Sequence, residues 1–200
     1  METRPPNLAP PSGGRANPTR VALVALACVA AVATLWPAVA RADQVADQNE
    51  IKANMLWNIA KFVRWPDGAF DKTRGQLVFT ILGEDPLAEA LAVTLSTKTI
   101  NGRPVFVHFA RRPQDAAGSQ ILYIAASEHG RIGEVLKAID GSWMLTVADT
   151  SGFVVRGGMV DFALELDKVR FEINQARAEK AGLKISAKLL ALAHVVEATP

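Results

Sequence analysis

Apolar and polar residues follow two different periods along this chain, and the changes of period mark its elements. Between Asn49 and Val63, the residues Ile51, Met55, Leu56, Ile59, Phe62 and Val63 recur at helical spacing, with Lys52, Asn54, Asn58 and Lys61 between them. This predicts an amphipathic helix, capped by Asp47 or Asn49. Trp65-Pro66-Asp67-Gly68 stops it, because proline disfavours the helical region for the residue before it. Four short, mostly apolar runs read as buried strands: LVFTIL (77–82), VFVHF (105–109), ILYIA (121–125) and MLTVA (144–148). Helices are predicted between them, from Pro86 to Leu95 and from a Ser127 cap to Ile139, and Asn101-Gly102 reads as a turn. Strands and helices joined by short loops predict a single three-layer α/β domain, its sheet mainly parallel and its helices on both faces. The tail changes pattern. MVDFALEL (159–166) and VRFEI (169–173), separated by Asp167-Lys168, predict an antiparallel hairpin. Asn174 then caps a short helix, Gly182 breaks it, and Ser186 starts a last helix with Ile185, Leu189, Leu190, Ala193 and Val196 on one face.

The first forty residues fit none of this. A polar, Pro/Gly-rich stretch ends in Arg20, and residues 21–35 then carry no charge. Trp36-Pro37 and the small-residue pattern Ala38-Val39-Ala40 follow, which is the order read by signal peptidase. The expectation is a signal peptide over 1–40 cleaved after Ala40, a flexible lead-in over 41–49 and one folded domain over 50–197. The apolar run is short of the roughly 20 residues of a full bilayer span, so an uncleaved inner-membrane anchor is the weaker reading.

Charge narrows the partners. Of 22 basic and 20 acidic residues in the 200, three and one lie in residues 1–40, which leaves 19 of each in the body. A neutral body with no basic cluster beyond Arg111-Arg112 does not suit nucleic acid. Cys28 is the one cysteine, so no disulfide can form within these residues.

Candidate chemistry is sparse. Ser127-Glu128-His129 are neighbours that point in different directions at a helix start, whereas a catalytic triad brings distant residues together. His108, His129 and His194 lack metal-ligand spacing. Gly83-Glu84-Asp85-Pro86 lacks the glycines of a phosphate cradle, and Asp149 and Arg156-Gly157-Gly158 read as turn formers. Trp57, Trp65 and Trp143 read as core. Catalysis, a metal and a cofactor are not expected; the residues alone describe an exported α/β protein that binds something.

Three segments carry more: KANMLWNIAKFVRWP (52–66), GGMVDFALELDKVRFEIN (157–174) and GLKISAKLLALAHVV (182–196). LGEDPLAEAL (82–91), INGRPVFV (100–107) and ILYIAASE (121–128) lie between them in the same order. Together they resemble the YfiR-type periplasmic regulators. The resemblance implies a non-enzymatic α/β protein that binds the periplasmic sensor domain of an inner-membrane diguanylate cyclase and represses it, lowering cyclic-di-GMP and biofilm formation. It also implies a homodimer; a small-molecule effector would bind at the carboxyl ends of strands, around Gly83–Pro86 and Ala125–Ser127. Redox gating by the protein's own disulfides does not carry over. Trp57 and Arg64 stand where Tyr and Glu are common in the family. Candidate partner- or ligand-facing residues are Asn58, Lys61, Arg64 and Trp65 on the first segment, with Arg170, Glu172 and Asn174 on the second. Alternation along the strand would put those three opposite Phe171 and Ile173. The competing readings are a periplasmic small-molecule binding protein feeding a receptor or transporter, and a hydrolase using Asp149 or His129.

Overall fold

The computed structural model describes residues 45–165 and 168–196. The expected signal peptide, with Ala38 and Ala40, lies outside them. Helix α1 runs over 45–61 and buries Ala53, Leu56, Ile59 and Ala60, the three-and-four spacing of a single face. It already includes residues 45–49, expected to be flexible, because burial reaches back to Asn49; Asp47 and Asn49 therefore sit inside the helix instead of capping it. Strand β1 (Val63–Arg64) follows directly, and a 3-10 segment at Asp67–Thr73 follows the expected Pro66 stop.

The remaining elements are β2 (Leu77–Leu82), α2 (Pro86–Leu95), β3 (Thr99–Ile100), β4 (Arg103–Ala110), β5 (Ile121–Ile124), α3 (Ile132–Ala138), β6 (Leu145–Ala148), β7 (Val160–Glu165), β8 (Lys168–Ile173), α4 (Gln175–Lys180), β9 (Lys184–Ile185), α5 (Ala187–Leu190) and β10 (His194–Val195). Eight strands make one sheet in the order β10-β8-β7-β6-β5-β2-β4-β3. Neighbours are parallel except β7–β8, the expected hairpin, and β3–β4. The β3–β4 hairpin turns at Asn101-Gly102, both left-handed (φ 51° and 77°), as the tightest hairpin turn requires.

Alternate residues of the central strands feed two cores. Phe79, Ile81, Tyr123 and Val147 pack with α1, α2, α4 and α5, while Leu122, Ile124 and Ala148 pack with α3. The result is a mainly parallel α/β domain with helices on both faces and an antiparallel hairpin near its C-terminus.

Three further elements differ from expectation. The helix from Ser127 opens as a 3-10 segment, Ala126–Arg131, before α3, with Gly130 and Gly133 weakening its start. The last helix lasts one turn. Beyond it His194-Val195 pairs with Glu172-Ile173, because β8 offers a free edge that suits a β-branched residue. Trp143 is no core residue: it is 47% exposed, lying over Gly68 and Gly182, where an added Cβ would approach the indole to 3.2–3.3 Å.

Candidate partner-binding surface

In open α/β sheets, ligands favour the carboxyl ends of the strands where the chain order reverses, here between β2 and β5. That crevice is closed. Asp85 accepts from the Ala88 amide (2.7 Å), the Tyr123 hydroxyl (2.8 Å) and the Ala126 amide (2.7 Å), so one carboxylate caps α2 and ties it to β5. Ser127 Oγ accepts from the Glu84 amide at 2.8 Å instead of capping a helix. Gly83 is left-handed (φ 87°), and a Cβ there would overlap Ser127 and Glu128. Glu128 is buried and ion-paired to Arg131 at 2.5 Å, which engages the middle member of Ser127-Glu128-His129. Asp149 pairs with Lys52 of α1 at 2.6 Å. Burial pushes the Tyr123 hydroxyl far up and the Asp161 carboxyl up to about 6, although Asp161 accepts from the Thr150 and Phe153 amides. These groups hold loops together.

The residues expected to face a partner fall into three places. Asn58 and Lys61 lie on the outer side of α1; Lys61 Nζ donates to Asn58 Oδ1 (3.1 Å) and sits 3.3 Å from the Trp57 ring centroid. Arg64 is exposed on β1, and the Trp65 indole is anchored to the Gln120 carbonyl at 3.1 Å. On β8, Arg170 is exposed and Glu172 half-buried, while Phe171 and Ile173 point inward, as alternation predicts. Asn174 departs from it. At 3% exposure it accepts from the Arg177 amide (2.9 Å) and donates to the Val154 carbonyl (3.1 Å), so it caps α4 and is not on the surface. The strand ends at Ile173, and cap geometry takes over from alternation.

The C-terminal segment joins these places. β9 pairs antiparallel with β1, and the Ser186 amide donates to the Phe62 carbonyl at 3.0 Å. Eight residues later β10 pairs with β8, and the Val196 amide reaches the Ile173 carbonyl at 2.9 Å. Residues 182–196 thus form a strap from the end of α1 to β8, with Phe62, Leu192 and Val195 exposed along it. At one end of the strap, Arg64 lies directly across from Lys184. Both are exposed, and neither side chain has an ion-pair partner among the described residues. Lys184 was not among the expected residues, since a two-residue strand leaves no period in the sequence.

The segments bridged by this strap fall within residues 49–194, which match the sequence model of a known family, YfiR/HmsC-like. The chain belongs to the YfiR/HmsC-like family. This is a family of regulators, not enzymes, that work through contact with another protein. No curated protein matches the chain. Among solved structures, it is similar to the crystal structure of a conserved domain protein from Vibrio cholerae O1 biovar El Tor str. N16961, at 14% identity and a TM-score of 0.52. That match covers 74% of this chain and 59% of the other, and it speaks to the fold alone. Among the described residues of this YfiR/HmsC-like chain, no three His, Cys, Asp or Glu side chains are placed to hold a metal ion. No described helix is long and apolar enough to cross a membrane.

Proposed function

We propose that the chain is exported by a signal peptide over residues 1–40 and acts in the periplasm. There it binds and represses the sensor domain of an inner-membrane diguanylate cyclase, lowering cyclic-di-GMP and biofilm formation. Family membership supplies the regulatory role, and the observation that supports the binding face is the facing pair Arg64 and Lys184. Like charges directly opposite on paired strands repel one another, and an acidic partner surface relieves that repulsion on binding. Asn58, Lys61 and Trp65 flank the pair in sequence; Arg170 and Glu172 lie where the strap ends, on the strand that β10 pairs with. Repression then needs only that this face binds the inactive cyclase more tightly than the active one, each tenfold of preference shifting the balance by about 1.4 kcal/mol.

The test is intracellular cyclic-di-GMP in a clean deletion. A several-fold rise, reversed by the full chain but not by a version lacking residues 1–40, supports periplasmic repression. An unchanged level across growth conditions contradicts it.

A further inference from the structure

The two faces of the sheet are unequally covered. Between β4 and β5 the chain crosses over β2 in only ten residues, 111–120, which hold one 3-10 turn at Pro113–Ala116. A covering helix on this crossover needs a dozen residues or more. The face over β2 and β4 is therefore left open beside α3, and a cleft of about 360 Å³ opens there. That volume lies at the small end of natural ligand sites.

The lining of this cleft is not that of an ordinary sheet face. Phe106 projects from β4 and is 53% exposed, with His108 beside it on the same side of the strand. On the floor, the Ser119 hydroxyl shares a 2.6 Å hydrogen bond with that of the buried Thr80. Lys72 and Arg74 line the opposite wall, and neither side chain is engaged by any described residue. The one acid in the lining, Asp115, is taken by Arg112 at 2.8 Å.

The wall that carries the two cations is fixed. Gln120 accepts from the Val78 amide and donates to the carbonyls of Ala69 and Gly118. Arg103 stacks on Phe70 at 3.9 Å and donates to the Gly75 carbonyl. Arg74 itself holds a left-handed backbone (φ 52°), a conformation that favours glycine. That conformation is a helix C-cap: Arg74 closes the Asp67–Thr73 segment, its amide donating to the Phe70 carbonyl, and the cap holds a guanidinium with no partner among the described residues at the edge of the cleft.

We propose that this cleft binds a small organic anion with a flat apolar body. The carboxylate or phosphate lies between Lys72 and Arg74, and the ring lies against Phe106. The inference is independent of the proposed repression of a cyclase.

Calorimetric titration of the full chain with benzoate, phenyl phosphate, inorganic phosphate and benzyl alcohol tests it. The expected result is saturable binding of at least one ring-bearing anion at or below about 1 mM. The tighter of the two identifies the charged group. K72E weakens that binding at least tenfold. R74G does the same while keeping the fold, because glycine suits the left-handed backbone. F106A weakens binding of the ring-bearing anion and leaves inorganic phosphate unchanged. Three results overturn the proposal: no saturation by either ring-bearing anion, affinity unchanged in folded K72E and R74G, or benzyl alcohol binding as tightly as benzoate. No cyclase is present in this titration, so its failure leaves the repression reading standing, and the reverse holds.

Discussion

The carboxyl ends of β2 and β5 and the β1–β9 seam are both polar, yet they treat charge in opposite ways. At the strand ends, Asp85 is matched by three donors, Glu128 by Arg131 and Asp149 by Lys52. At the seam, Arg64 faces Lys184 with no described counter-ion for either. A matched network inside a fold costs stability when any member is removed. A facing pair of like charges costs stability while it remains. The first arrangement serves folding and the second works slightly against it, which is why we place the partner at the seam and not at the crevice where α/β folds usually bind ligands.

Breaking the sealed end gives the largest expected effect. Gly83→Val forces a side chain onto a left-handed backbone and into Ser127 and Glu128; it should lower stability by about 3 kcal/mol, read from chemical denaturation midpoints. A loss below about 1 kcal/mol would mean that the two loops are not locked together.

The second effect is on pH. The Asp161 carboxyl is pushed up to about 6 from 3.8 by burial, so the folded chain holds a proton that the unfolded chain has released between those values. Stability contributed by this group is therefore present below pH 4 and lost as pH rises through 6, by at most about 3 kcal/mol. Asp161→Asn should flatten that slope in denaturation curves taken at successive pH values. Glu172 and Asp149, whose negative charges also raise Asp161, remain in this variant.

Asp85→Ala comes next. It orphans the Tyr123 hydroxyl and two amides at the start of α2 and the 3-10 segment, at a cost of about 2 kcal/mol.

The smallest effect on stability is the most telling. Arg64→Glu replaces a like pair by an opposite pair across β1–β9 and should raise stability by about 0.5 kcal/mol. The same change should weaken the partner complex at least tenfold, the two readouts moving in opposite directions. A variant that loses stability and binding together would erase the contrast between seam and crevice.

Much of the fold was legible in the sequence because burial writes a period. LVFTIL, ILYIA and the two arms of the β7–β8 hairpin appear as strands almost at their expected limits, with Lys168, expected in the turn, paired to Glu165 as the first residue of β8. The face of α1 appears in the spacing of Leu56 and Ile59. What stayed hidden is set by tertiary contact. β1, β9 and β10 are two residues each, too short to show alternation, and their partners lie far along the chain. Arg64 and Trp65 could therefore be named from the first segment, while Lys184 could not be placed opposite them. Asn174 continued the alternation on paper, but the strand stopped one residue earlier and turned it inward. The open cleft does leave a trace in the sequence: the ten residues between Ala110 and Ile121 are too few for a covering helix.

The central claim is that the Arg64–Lys184 seam holds the cyclase inactive. Its most direct measurement is cyclic-di-GMP in cells whose only copy of the chain carries Arg64→Glu and Lys184→Glu, with folding and export checked. The account predicts that cyclic-di-GMP rises to the level of the deletion strain. A level equal to that of the wild type would contradict it.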